Sequence, residues 1–454
     1  MKPGRSINVL ICPWRTFVSR AVLGFIAATA WAEPAEIPKE KTTPLAAWLS
    51  ADGITGDWGG LRSELAGCGI GFLGSEQVEL WGNTTGGLER GTVYTGLLTF
   101  GLNLDLDKAV GWCGASVGTA WLWLSGRDAS QDLAGNFLTI SGIAGFKTVR
   151  MFELWFQQNL LNDKISLRFG QLTADTEFII SRYGGTFING TFGWPAFMYM
   201  NLPGGGPQFP TGTLGVRLAV NPLDWFKFQT AIFQGNVYAQ NVNLHGFAWR
   251  LNSQNGFFFL NEAQFLWNQS EKQMGLPGEF KAGAWVDTAK FANPNDDNLV
   301  RGNYGFYFIL DQMLYCKPAE SAGNRCDQVG WFGRIGYEPQ YHDFVGFYFD
   351  TGLTYKGLIP SRGDDTFGVA FAYARLSSGA RQAAIKDGSV GVGAEMVLEA
   401  TYQAQINKWL SIQPDLQFII NPGGNQDLGN AVVILVLDRF VPPASWSRPP
   451  SKAD

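Results

Sequence analysis

Residues 150–171 read RMFELWFQQNLLNDKISLRFGQ. In the first half Phe152, Leu154 and Phe156 alternate with Glu153, Trp155 and Gln157. In the second, Ile165, Leu167 and Phe169 alternate with Ser166 and Arg168. Successive side chains of a strand point to opposite faces, so a period of two gives one apolar and one polar face. The tight Asn-Asp-Lys link at 162–164 joins the halves, and the stretch predicts a hairpin. In a soluble sandwich the apolar face fills a core. In a membrane barrel it meets lipid and the polar face lines the lumen. One hairpin does not choose between them; the number of such segments and their connections do.

The pattern recurs outward in both directions. In TAWLWLSG (119–126) Ala120, Leu122 and Leu124 alternate with Thr119, Trp121 and Trp123. In GTLGVRLAV (212–220) Leu214, Val216 and Leu218 oppose Arg217. In SIQPDLQFII (411–420) Ile412, Leu416 and Phe418 oppose Gln413, Asp415 and Gln417. About sixteen segments are expected, near 70–82, 92–106, 114–125, 147–160, 164–180, 212–221, 225–238, 257–268, 279–291, 304–316, 328–338, 347–357, 366–376, 394–406, 409–420 and 430–440. Tight links (162–164, 221–225, 406–409) alternate with long ones (126–146, 181–211, 239–256, 377–393). Short turns on one side and long loops on the other predict an all-β fold, a transmembrane antiparallel β-barrel of about 16 strands. That size leaves an aqueous channel, and closure leaves no unpaired edge in lipid. An even count returns both termini to the periplasmic side.

Composition agrees. Charged residues make up 16%, aromatics 14%, and there are 57 glycines. No run beyond residue 32 approaches the ~18 apolar residues of a membrane helix; the longest is AVVILVL at 431–437. Lys2, Arg5, Arg15 and Arg20 precede AVLGFIAATAWA, which reads as a secretory signal over 1–32. Residues 33–55 read as a flexible periplasmic N-terminus, 56–440 as the barrel and 441–454 as a Pro-rich periplasmic tail. Loss of the signal takes the net charge from −5 to −9. No basic run remains, which argues against a nucleic-acid partner. The expected location is the bacterial outer membrane, with lipid around the wall.

Cys12 leaves with the signal. Cys68, Cys113, Cys316 and Cys326 remain, an even number in an exported chain, which points to disulfides. There is no CxxC and only two histidines, so no metal or other cofactor is expected. The barrel topology puts all four cysteines on the periplasmic side and favours Cys68–Cys113 and Cys316–Cys326 bridges. Trp58 to Leu65 is expected to form a short periplasmic helix entering the first strand.

The loop SRYGGTFINGTFGWPAFMYMNLPGGGPQFP (181–210) has one charge, Arg182, beside Tyr183, Phe187, Phe192, Trp194, Phe197, Tyr199 and Phe209. So apolar a loop is expected to fold into the lumen and narrow it, its rings packing on the C–H faces of sugars. Alternation turns Glu153, Arg168, Arg217, Glu262, Asp287, Arg334, Asp350, Glu399 and Asp415 inward, with Trp121, Trp123 and Trp155. Mixed signs suit a neutral polar solute better than an ion. Arg168 and Glu153 are expected to pair. An enzyme is a rival reading, but His342 beside Asp343 and the lone His245 lack a nucleophile motif. An adhesin or lectin is another, with calcium in the Asp-rich turns at 293–298 and 362–365.

The segment GDWGGLRSELAGCGIGF (56–72) followed by SEQVELWGNTTGG resembles the start of the carbohydrate-selective outer-membrane porin family, porin B. TGLLTFGLNLDLDKAVGW, RFGQLTADTEF and YQAQINKWLSIQPDLQFIINPGGN resemble its second strand and turn, its strand into the constriction loop, and its last hairpin. Together these span about 52 to 440. The resemblance implies a sixteen-stranded barrel, trimeric or monomeric, passing glucose and other small sugars by diffusion, and inserted by the barrel-assembly machinery. A general or cation-selective porin is the alternative. Family members usually end on an aromatic residue; here Phe440 is followed by VPPASWSRPPSKAD. The four cysteines also depart from the family pattern.

Overall fold

The protein is described by a computed structural model over residues 51, 53–237, 242–251, 255–270, 275–294, 298–317, 328–389 and 391–440. The first fourteen strands are β1 (Ile70–Thr85), β2 (Gly91–Asp105), β3 (Ala115–Gly126), β4 (Thr148–Leu160), β5 (Ile165–Leu172), β6 (Thr213–Leu223), β7 (Phe226–Gln234), β8 (Phe257–Trp267), β9 (Gly278–Ala292), β10 (Leu299–Cys316), β11 (Gln328–Tyr337), β12 (Val345–Lys356), β13 (Thr366–Leu376) and β14 (Ala394–Gln405). The fifteenth runs as Leu410–Ile412 and Asp415–Ile420. Both halves pair with β14 and with the last strand, Ala431–Phe440. Pro414 sits at the break, where it has no N–H to give the ladder.

Each strand pairs antiparallel with its sequence neighbour, and the last returns to β1. Glu76 meets Phe440 and Thr85 meets Val432, with a register shift between Asn83 and Thr85. The result is a closed barrel of sixteen strands. Closure matters because every unpaired backbone group facing hydrocarbon costs several kcal/mol. The outward face carries Leu80, Phe100, Val216, Phe308 and Leu398, all exposed, as a lipid-facing wall requires.

Two long connections fold into the lumen. Residues 127–147 supply Leu133, Phe137, Leu138 and Ile140; residues 173–212 supply Phe178, Ile179, Phe192, Trp194, Phe197 and Met198. These join one buried cluster with the wall residues Trp81, Trp285, Tyr307, Phe332 and Tyr348. The core of this barrel is therefore inside the channel. This reverses part of the expected face assignment. Leu122 and Leu124 point inward and pack with Leu97, Ala120 and Phe152. Trp123 lies outward, 54% exposed, and Trp121 stacks on outward Phe100 at 6.4 Å between ring centroids. Because the loops carry apolar groups into the lumen, an apolar strand face can serve either side.

A register shift at Ala120/Trp121 marks where β4 bends. Above it β5 has ended, and residues 243–249 reach back to fill the gap. The Met151 amide donates to the His245 carbonyl at 3.0 Å. The Thr148 hydroxyl donates to the Leu244 carbonyl at 3.0 Å. Trp249 Nε1 donates to Gln171 Oε1 at 2.7 Å.

The expected N-terminal helix is present as a 3-10 turn, Trp58–Gly60, running into a helix at Leu61–Gly67. The Asp57 carboxylate accepts from the Ser63 amide at 2.9 Å, and the Trp58 ring meets Phe72 edge-on at 5.2 Å. Cys68 follows this helix as its C-terminal cap, half-buried. Cys113 lies exposed beyond a short helix, Leu106–Val110, and its thiol is directed at Asp107 Oδ1, 3.5 Å away. Cys316 is disulfide-bonded; Cys326, its expected partner, lies outside the described residues, as do the signal segment and the C-terminal tail.

Candidate functional site

The inward loops are held by wall side chains that reach their backbone. Glu395 accepts from the amides of Phe137 and Leu138 at 3.0 and 2.6 Å. Glu399 accepts from Ile188 and Asn189 at 2.7 and 3.1 Å. Glu262 accepts from Ile179 at 2.9 Å and from the Tyr307 hydroxyl at 2.8 Å. Asp311 accepts from the Ser181 hydroxyl and the Arg182 amide at 2.6 and 3.0 Å. Arg334 pairs with Asp350 (Nε–Oδ2 3.0 Å) and donates to the carbonyls of Ile179, Thr191 and Gly193 at 2.8 to 3.1 Å. A loop inside a barrel must satisfy its amides without water. Period two supplies the answer: every second wall residue faces the loop.

Where the wall is not covered, a charged cluster meets the lumen. Glu177, from the 173–212 loop, lies between two guanidiniums. Arg168 Nη1 is 2.6 Å from Glu177 Oε1, Arg217 Nη2 donates to the same oxygen at 2.9 Å, and Arg217 Nε forms an ion pair with Oε2. Gln157 Oε1 accepts from Arg168 Nε at 2.8 Å. The Arg168 guanidinium lies over the Trp155 ring, 4.3 Å from its centroid. Glu153 accepts from the Thr173 hydroxyl at 3.0 Å; the expected Arg168–Glu153 pair is replaced by Arg168–Glu177. The side chains of Arg168 and Glu177 keep 19% of their surface accessible. Further round, exposed Arg182 lies over the Tyr183 ring at 5.7 Å, and Glu279 pairs with Lys281 at 3.6 Å.

The structure therefore divides the expected lining residues. Arg168, Arg217, Glu153 and Trp155 come together with Glu177 and Gln157. Arg182 and Tyr183 stand beside Asp311. Arg334, Glu399 and Asp415 are sealed, at 1%, 0% and 4% exposure, because the loop lies on them. Trp123 faces outward. The rings of Phe192 and Trp194 are likewise buried: Phe192 packs on Phe187 and Phe332, and Trp194 Nε1 donates to the Gly205 carbonyl. The loop folds inward as expected but turns most of its rings toward the wall. The alternation places Gln157 on the polar face, whereas Glu177, Asp311 and Glu395 carry no such signal in the sequence. Glu177 lies in TADTEF, inside the expected strand segment 164–180 but past Leu172, where β5 ends.

The rival constellations have other employment. Asp365 bonds Arg362, the Tyr402 hydroxyl and the Gln405 amide, which hold its carboxyl below the usual range. Residues 295–297 lie outside the described residues. His245 Nδ1 is 2.8 Å from the Val149 carbonyl. Asp343 accepts from Asn303, and burial pushes its carboxyl up to about 7. Among the described residues no group of three potential ligands is placed to hold a metal ion.

Comparison with known proteins points one way. The family model described as carbohydrate-selective porin, OprB family, matches residues 89–436. Porin B of Pseudomonas aeruginosa is 23% identical over 443 residues, covering 87% of this chain and 91% of that protein. A putative porin, QuiX, of Acinetobacter baylyi is 24% identical over 424 residues, covering 84% and 91%. The high-pH structure of Pseudomonas putida OprB shares the fold, with a TM-score of 0.75 and 23% identity over 87% of this chain and 99% of that one.

Proposed function

Because this chain belongs to the carbohydrate-selective porin family, OprB, we propose that the Arg168–Glu177–Arg217 cluster is where its channel recognises small neutral sugars such as glucose. The protein is an outer-membrane channel and belongs to no enzyme family. What supports the assignment to this cluster is one observation: a carboxylate held between two guanidiniums, by wall and loop together, with Glu177 and Arg168 still partly accessible. Fixed donors and acceptors side by side match vicinal hydroxyls, each of which gives one hydrogen bond and takes another. Alternating signs keep the site from selecting an ion. The bonds also hold the side chains in place before solute arrives, so less ordering entropy opposes binding. Affinity is expected to be weak, because a conducting site must release what it holds. Outer-membrane lipid is the partner of the apolar outer wall, and the resemblance adds assembly by the barrel machinery, as a monomer or a homotrimer.

The test is single-channel conductance in a planar bilayer with glucose titrated on one side. Concentration-dependent block is expected. Conductance that glucose does not alter would leave a general or cation-selective diffusion porin.

A further inference from the structure

Among the described residues three arginines are buried: Arg150, Arg217 and Arg334. Two are compensated. Arg217 is paired with Glu177 and donates to Ser166. Arg334 is paired with Asp350 and donates to three carbonyls. Arg150 is 1% exposed and has neither. Its Nε and Nη2 are sealed from solvent and meet no acceptor.

Its surroundings explain why nothing nearby helps. On β4 it lies opposite Leu122, on the face that carries the Leu97, Leu122, Leu124 and Phe152 cluster. The Phe146 ring, on the return leg of the 127–147 loop, covers the guanidinium at 4.9 Å. A ring face offsets only a small part of the cost of burying a cation. A lysine would shed its proton under such conditions; an arginine does not. The charge therefore requires a counter-charge.

We propose that Arg150 is the donor half of a small-anion site. Its occupant is a halide-sized inorganic anion held by Nε and Nη2 and enclosed by Phe146. A sugar does not reach a side chain so enclosed. The anion would fasten the return leg of the inward loop to the wall, as Glu395 and Glu399 fasten other segments from the opposite side. The site would be structural and separate from the Arg168–Glu177–Arg217 cluster, so either assignment can fail alone.

The probe is bromide. The full chain in detergent, held in sodium gluconate at constant ionic strength, is titrated with sodium bromide while the midpoint of its heat-modifiable gel mobility is followed. A saturable upward shift is expected, absent in Arg150→Met. Crystals grown in bromide are expected to give an anomalous peak within hydrogen-bond distance of Nε or Nη2. No shift and no peak in the wild type overturns the proposal, as does an equal shift in Arg150→Met. If that variant does not fold, the wild-type peak decides, and a bromide bound only elsewhere counts against the site.

Discussion

At the scale of single residues, Glu177 separates two roles that share one chemistry. Wall carboxylates such as Glu399 spend both oxygens on loop amides and are sealed. Glu177 spends its oxygens on arginines and stays partly open. Glu177→Gln should weaken glucose block by roughly ten- to a hundredfold, since a charge-assisted hydrogen bond contributes ~1.5–3 kcal/mol. It should also turn the reversal potential toward anions, because two guanidiniums lose their partner. Unchanged block in the titrated bilayer would remove this cluster from sugar recognition. This division was only half legible in the sequence. Alternation puts Arg168, Arg217, Glu399 and Asp415 on the polar faces of their strands. It could not give which of them the loop covers, because that depends on contacts more than 200 residues apart, such as Ile188 to Glu399. Trp123 was misassigned for a related reason: a lumen filled by Leu133, Phe137 and Ile140 makes Leu122 and Leu124 as much at home inside as in lipid.

At the scale of the element, the 173–212 loop is a folded unit pinned along its length, and the pins differ in kind. Glu399→Ala removes the acceptors of two buried amides, each left unsatisfied at ~1–3 kcal/mol. The expected result is a lower heat-modification midpoint with noisier, larger conductance. Leu398→Ala, next along β14 but exposed outward, should leave conductance unchanged. If the two variants behave alike in the bilayer, the pin has no role in setting the pore. Asp175 is a different kind of pin, near the start of the loop. Its Oδ2 accepts from the Phe209 amide at 2.8 Å while Oδ1 has no partner, and burial pushes its carboxyl up to about 6. An acid raised in the folded state binds its proton more tightly there than in the unfolded chain, where the value is about 3.9. Its contribution is complete below about pH 4 and is lost as pH rises through about 6. A shift of this size is on the order of 2–3 kcal/mol. Asp175→Asn should flatten the fall in heat midpoint between pH 4 and 7; a fall of the same size in the variant would place the titrating group elsewhere.

At the scale of the whole molecule, the barrel was the most legible feature because closure is a sum over many weak local signals. Sixteen expected segments match the observed strands, with the larger misses where 164–180 runs on into the loop past Leu172, where 225–238 overruns Gln234 and where β10 already begins at Leu299. What closes the molecule is the pairing of its first and last strands, from Glu76↔Phe440 to Thr85↔Val432. The ladder reaches Phe440, and Leu410 also pairs there, so the last strand is fully engaged on both sides before the Pro-rich segment begins. A chain stopped after Phe440 therefore retains every strand pairing that closes the wall. It should reach the outer membrane with undiminished yield, migrate as a heat-modifiable band, and conduct like the full chain. Removing Ala431–Phe440 as well opens an edge on β1 and on the fifteenth strand together, and a barrel with two edges has no stable place in lipid. Loss of the heat-modifiable band in the shorter truncation would show instead that residues 441–454 take part in assembly, and that the aromatic at 440 does not suffice as the end of the barrel.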